Sequence, residues 1–507
     1  MRSTTWIMGT LFIAAWAACG CDDIEFEGDQ QAGTDTDTDS DTDSAAYMWH
    51  TFYGSGQSEE GTFLTVDGSG NIYVTGASDS SWTGPSGEAP LHAHSADPEY
   101  FGDFFVLKLG PDGAYAWHTF YGSGGMDIGY SLIVDGSGNI YVTGESESSW
   151  NGPDGGTPLH ASSGGDDLFV LKLAPDGAYA WHTFYGSEDD DNAGSLTPDG
   201  SGYIYVTGGS DSSWTGPDGE PPLHANSGGE DLFVLKLDQD GAYVWHTFYG
   251  SGGHNGDMSL AVDGSAGAIY VTGGSDSSWT GPGGEAPDHA HSGDLDFFIL
   301  KLDTDGAYTW HTFYGSAEWE NAFDLALDGG GNLYLTGTCS SSWTGPGGET
   351  PLNANSDGFD NLGDLFVLKL GPDGAYMWHT IFGSGDIDQG QSLAVDESGN
   401  IYVAGVSYDP TSPGEDPWTG PGGETPLHEH SGHSDSYVLK LEPDGAYAWH
   451  TFYGSENEDG GRSLSLDGNG NLYVTGDSYS PWTGPSGESP LHEHSGNTDL
   501  FVLKHSI

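Results

Sequence analysis

Tyr115-Ala116-Trp117-His118-Thr119-Phe120-Tyr121-Gly122-Ser123 decides the reading of this chain, because Trp-His-Thr-Phe-Tyr-Gly-Ser returns almost unchanged along it. The tryptophans stand at Trp49, Trp117, Trp181, Trp245, Trp310, Trp378 and Trp449, 64 to 71 residues apart. Only the sixth copy departs, reading Trp378-His379-Thr380-Ile381-Phe382-Gly383-Ser384. A period of this length, punctuated by glycine and without a helix-like stretch in any copy, marks a repeat of all-β units.

Each unit reads as four strands. Ser131-Leu132-Ile133-Val134-Asp135 turns through Gly136-Ser137-Gly138 into Asn139-Ile140-Tyr141-Val142-Thr143-Gly144, a hairpin. After a long loop, Leu168-Phe169-Val170-Leu171-Lys172-Leu173 turns through Ala174-Pro175-Asp176-Gly177 into Tyr179 to Tyr185, a second hairpin with Pro and Gly where a tight turn needs them. Seven such units predict a seven-bladed β-propeller over residues 46–507, with four antiparallel strands per blade. The chain ends predict closure: residues 47–54 are a lone fourth strand, residues 499–504 a lone third, and joining them completes the seventh blade without a free edge. Pro198 falls in a first strand, which is tolerable only if that strand is an edge lining the channel.

The units Val134 to Gly144 and Phe169 to Leu173 resemble the bacterial beta-propeller repeat family known as SBBP. The resemblance covers residues 46–507 and implies a surface or secreted propeller. It implies no activity.

Seventy-seven acidic residues stand against nine basic ones in 507, a formal charge of −68. Such a surface repels nucleic acid and anionic lipid, and cations are its natural partners. Seven of the basic residues are lysines at one repeat position, Lys108, Lys172, Lys236, Lys301, Lys369, Lys440 and Lys504. A cation repeated in register predicts an ion pair or an aromatic contact in every blade rather than catalysis. The cysteines are Cys19, Cys21 and Cys339, so no disulfide can staple the repeat domain.

Tryptophans recur in the long loops at Trp82, Trp150, Trp214, Trp279, Trp343, Trp418 and Trp482. These loops and the connections between blades leave the same face. Flat indoles there suit the apolar faces of sugars, and would equally pin their own loops. Four loops carry paired imidazoles, His92 and His94, His289 and His291, His428 and His430, His492 and His494; residues two apart in extended chain face one side, so each pair could offer two nitrogens to a transition metal. Asp189, Asp190 and Asp191, in an acidic inter-blade connection, could offer oxygens to calcium, the one cofactor the composition suggests. The histidines from His50 to His450 recur in all seven units, whereas a catalytic base is needed once, and they read as packing residues. No nucleophile elbow, phosphate loop or zincin motif is present, and a sialidase-like arginine cluster is excluded because Arg462 is the only arginine after the leader.

Residues 1–18 read as an export signal, with Arg2 ahead of an apolar run from Trp6 to Ala18 too short to span a bilayer. Ala17-Ala18-Cys19-Gly20 resembles the lipobox of bacterial lipoproteins, with Cys19 as the acylated residue; Trp16 departs from the usual leucine, which leaves Cys21 or simple cleavage as alternatives. Residues 19–45, including Thr34-Asp35-Thr36-Asp37-Thr38-Asp39, read as an acidic tether with nothing to bury. Two functions stay open: an exported, lipid-anchored binding or adhesion scaffold for an extracellular protein or glycan, and an extracellular lyase or hydrolase acting on polysaccharide. Cys19→Ser is expected to abolish lipid labelling and release the protein from membranes. Undiminished labelling of that variant would move the anchor to Cys21, and an unlabelled parent would make the protein a soluble secreted one.

Overall fold

The computed structural model describes residues 46–95, 102–354, 363–408 and 418–507. Residues 1–45, where the sequence suggests an export signal, an acylated Cys19 and an acidic tether, lie outside the described residues. The domain opens with β1 (Ala46–Tyr53) and continues with β2 (Glu59–Val66), β3 (Ile72–Ser78), β4 (Asp103–Leu109) and β5 (Tyr115–Tyr121), which form one antiparallel sheet in that order. The pattern repeats through five further sheets, β6–β9 within residues 127–185, β10–β13 within 191–249, β14–β17 within 255–314, β18–β21 within 320–382 and β22–β25 within 388–453. The seventh is β26 (Asp459–Asp467), β27 (Asn471–Ser478), β28 (Asp499–Ser506) and β1. The architecture is a seven-bladed β-propeller, and the only helical turn among the described residues is Pro153–Gly155.

Closure follows the sequence. His50 pairs with Leu503 and Phe52 with Phe501, so the first strand of the chain is the outermost strand of the last blade. Inner strands touch their neighbours around the ring, β26 against β2 included, which places them on the central channel. Pro198 ends β10 (Asp191–Pro198), an inner strand paired on one side only, where its missing N–H breaks no ladder.

The core lies between blades. Leu64, Val74, Phe105 and Leu107 of the first blade pack against Tyr473, Leu500 and Val502 of the seventh, and six further apolar layers repeat the arrangement. Middle strands are apolar on both faces because both faces meet a neighbour. Asp67 and its counterparts cap the first hairpin: its carboxylate accepts from the N–H groups of Ser69 and Asn71 at 2.9 and 3.0 Å, the local Asx turn that the residue type predicts.

The lysines join blades at the opposite face from the long loops. Lys108 Nζ lies 4.8 Å from the centre of the Tyr73 ring and donates to the Pro175 carbonyl of the next blade at 3.2 Å. Lys172, Lys236, Lys301, Lys369 and Lys504 repeat both contacts. The predicted aromatic contact is present in each blade, and the second partner is a carbonyl rather than a carboxylate.

Deleting residues 46–55 removes β1, with Phe52 and Tyr53 fully or almost fully buried, and leaves β28 with an unpaired edge. The expected outcome is a lower Tm and self-association in sedimentation velocity. A monomer with unchanged Tm would show that β1 does not hold the ring closed.

Candidate functional site

The loop tryptophans point inward. The seven indoles are only 3–6 % exposed, and each stacks on the histidine of a fourth strand. Trp82 lies 3.8 Å from His118 at 9°, and five other pairs repeat this at 3.7–3.9 Å, while Trp418 and His450 are looser at 4.9 Å. The histidine Nε2–H donates to the carbonyl of the same tryptophan at 3.1–3.3 Å. Its Nδ1 therefore accepts from the tyrosine three residues earlier, at 2.6–2.8 Å. Two fixed partners and burial dictate a neutral ring, and burial pulls His50, His118, His182, His246, His379 and His450 down to about 4. Trp82, Trp150, Trp214, Trp279, Trp343, Trp418 and Trp482 thus pin their loops and offer no open face to a sugar.

The paired imidazoles do not converge on a metal. His92 Nδ1 bonds the Phe120 carbonyl and His492 Nδ1 the Phe52 carbonyl, both at 2.8 Å, while His289 and His428 bond the Thr312 and Thr451 hydroxyls. The second histidines, His94, His291, His430 and His494, each direct Nε2 to the carbonyl of Ser78, Ser275, Ser407 or Ser478. Where the repeat has asparagine instead, the amide takes over the same bond: Asn353 donates to the Ile381 carbonyl and Asn226 to the Ser210 carbonyl, both at 2.8 Å. Both positions serve to bond a neighbouring strand, a role that histidine and asparagine share.

Asp189, Asp190 and Asp191 likewise do not converge on one point. Asp191 is buried and accepts from the N–H and hydroxyl of Ser187 and from the Ser210 hydroxyl, Asp189 accepts from Ser212, and Asp190 accepts from the Asp166 N–H. The carboxylates meet three different sets of donors. Among the described residues no three His, Cys, Asp or Glu side chains are grouped to hold a metal ion.

The irregular part of the molecule is the mouth of the channel on the loop face. Each inner strand skips register near its start, between Gly61 and Phe63 in the first blade and at the matching place in every other. Such a bulge frees a side chain from the ladder and re-aims it. The residues at the skip are Thr62, Tyr130, Gly194, Met258, Phe323, Gln391 and Arg462, different in all seven blades; of these Met258 packs in the apolar layer with Leu260 and Trp279. Around them runs a second variable ring, the residue after each second strand, held in every blade by the same backbone bond to the inter-blade connection. It carries Asp79, Glu147, Asp211 and Asp276 on four successive blades and Ser340, Tyr408 and Tyr479 on the other three. The backbone repeats while the side chains do not.

Contacts at the mouth follow this asymmetry. Arg462 Nε donates to Asp477 at 2.9 Å, with Glu60 and Tyr408 also in its field. Tyr130 donates to Glu145 at 2.8 Å. Burial, reinforced by Asp166, Asp190 and Glu147, lifts Glu145 to about 7; burial and Asp477 raise Glu60, with Arg462 opposing. Tyr408 and Tyr479 remain 38 % and 45 % exposed beside this cluster.

Residues 116–149 and 378–410 match the family model for the beta-propeller repeat named SBBP. The chain carries SBBP beta-propeller repeats. It is also 22% identical to an uncharacterized WD repeat-containing protein of Acanthamoeba polyphaga mimivirus, over 85% of this chain and 36% of that protein, so it spans only about a third of the viral relative. Similar solved structures include Sqt1 from Chaetomium thermophilum, at 11% identity and TM-score 0.39 over 92% of this chain and all of that one. Another is the Pan2 WD40 domain of Neurospora crassa, at 9% identity and TM-score 0.36 over 75% and 89% of the two chains.

Across the seven units the recurring residues build the blade. The mouth residues escaped sequence reasoning because it sought motifs that recur. The available signal was the reverse: in the aligned units, the fourth residue of the inner strand never occurs twice.

Trp150→Ala is expected to destabilise the domain by about 3 kcal/mol or more, the cost of emptying a buried aromatic site, measured by urea unfolding. The neutral histidines add a pH dependence: the unfolded chain protonates near pH 6.5 and the folded rings near 4, so their contribution is lost as pH falls through that window. A Trp150→Ala protein of parental stability would remove the clamp from this account.

Proposed function

We propose that the protein is an exported, lipid-anchored binding scaffold and that its ligand seat is the channel mouth on the loop face. The observation supporting this is the break in repeat symmetry: residues that build blades recur seven times, whereas those at the inner-strand bulges differ in every blade. The chemistry suits a glycan. Carboxylates and the Gln389 and Gln391 amides can bond hydroxyls, and the exposed rings of Tyr408 and Tyr479 provide flat apolar faces. The adhesion face expected from the sequence is kept, and the seat moves from the tryptophan loops to the channel they surround. Export and anchoring rest on the leader and Cys19.

A second reading draws support from one feature. The Tyr130–Glu145 hydrogen bond, with the Glu60 carboxyl raised by burial and Asp477, groups two acids and a phenol, the residue types a polysaccharide-acting lyase or hydrolase uses.

The test is a glycan array probed with the parent and with Tyr408→Ala/Tyr479→Ala. Binding by the parent and at least a tenfold loss in the double variant, with Tm unchanged, is the expected result. No glycan bound, or equal binding by both, would remove the proposed seat. Release of reducing or unsaturated ends from any bound polysaccharide, lost in Tyr130→Phe, would establish the enzyme instead.

A further inference from the structure

The glycine of each Trp-His-Thr-Phe-Tyr-Gly-Ser string sits between two acids. At Gly186, a Cβ would lie 1.9 Å from Asp167 Oδ1 and 2.9 Å from Asp191 Oδ2, so no other residue fits and an oxygen of each carboxyl borders the space its side chain would take. Asp167 opens the third strand of one blade and Asp191 the first strand of the next; both are fully buried. The acids that open the inner strands at the other such junctions are Glu59, Asp127, Glu320, Asp388 and Asp459, each buried beside the acid opening the preceding third strand. Two buried like charges at this separation would repel strongly. Asp167 Oδ1, moreover, is buried without a hydrogen-bond partner, as is Asp296 Oδ1, which faces Glu320 across Gly315.

The remaining junction supplies an internal control. Gly250 lies between Asp231 Oδ1 and Asn255 Nδ2, at 2.3 and 2.7 Å from its Cβ position. Asn255 Oδ1 still accepts the Ser275 hydroxyl at 2.6 Å, the bond that Asp191 takes from Ser210. Its Nδ2 donates to the Glu230 carbonyl at 2.8 Å, so this junction holds a neutral amide where the other six hold a second carboxyl.

We propose that each of the six acid–acid junctions holds a carboxylic acid against a carboxylate with one proton shared between them, and that this proton ties adjacent blades together on the loop face until rising pH removes it. The alternative, a divalent cation in each gap, is opposed by the Ser163 and Ser187 N–H groups, which donate into Asp167 and Asp191 where a cation would need carbonyls. The other titratable groups facing the Asp167–Asp191 pair are His160 of the loop and Asp166 at the strand entrance; His224 faces Asp231. Burial, with the facing acid adding to it, raises Asp127, Asp191, Asp388 and Asp459 to about 7, and Glu59 and Glu320 likewise. Folded values above unfolded ones mean stability present in acid and lost as pH climbs from about 4 through about 7. The buried clamp histidines carry the opposite sign, so each variant is compared with the parent at the same pH.

Asp191→Asn recreates the Asn255 junction, Asn255→Asp creates a seventh acid pair, and Asp218→Asn removes an exposed charge alone. Tm of the full chain is measured at pH 5 and pH 8, with and without EDTA. Asp191→Asn is expected to gain on the parent between pH 5 and pH 8, Asn255→Asp to lose, and Asp218→Asn to run parallel. Should Asp191→Asn not fold, Asn255→Asp decides alone. Equal shifts at both pH values for the junction variants would overturn the shared proton. So would an EDTA-induced fall in parental Tm, which would put a divalent cation in the gap.

Discussion

The stack of a loop tryptophan on a fourth-strand histidine is the contact on which the loop face depends. It joins parts of one blade that are 32 to 36 residues apart along the chain in six blades, and across the chain ends in the seventh. A long glycine-rich loop has no hydrophobic stripe of its own and would otherwise pay its ordering entropy without return. The indole provides the burial, while the histidine bonds its carbonyl and takes the tyrosine hydroxyl. Two ring nitrogens with fixed partners leave no freedom of tautomer, so the clamp sets the loop's position as well as its stability.

A chain with a formal charge of −68 must fold despite its own repulsion. Few cations are used, and most sit away from the loop face. The lysines lie over tyrosines and reach the carbonyls of the next blade, which lets a cation bridge two blades without an acid partner. On the loop face the carboxylates are handled by hydrogen bonding to serine N–H and hydroxyl groups. Clamp histidines and junction acids respond to pH in opposite directions over nearly the same interval, because burial penalises whichever form is charged. The two sets partly offset one another in mildly acidic solution.

Function and architecture separate along the axis of symmetry. A ring of equivalent blades needs the same residues seven times, so whatever differs between blades is free of that requirement. At the channel mouth the backbone bond after each second strand is kept while its side chain runs from aspartate to tyrosine. The result is a mouth that is acidic over four blades and aromatic or neutral over three, with Arg462 between them.

The sequence by itself determined the seven blades, the four strands in each, the pairing of Ala46–Tyr53 with the last strand and the Asx turns at Asp67 and its equivalents. All of these rest on local rules: a fixed period, turn residues at fixed offsets, and a missing strand at each end. The sequence also left the loop tryptophans balanced between a sugar platform and a pin, and the histidine pairs between metal and hydrogen bond. Only the tertiary structure decided these, because the deciding partner lies on another strand or another blade: His118 for Trp82, the Phe120 carbonyl for His92, Ser210 for Asp191. The bulges were hidden for a related reason. Strand alternation has a period of two and shows which faces are apolar, but a one-residue slip against the partner strand appears only when both strands are in place. That slip sets Tyr130 beside Glu145 and Arg462 beside Asp477.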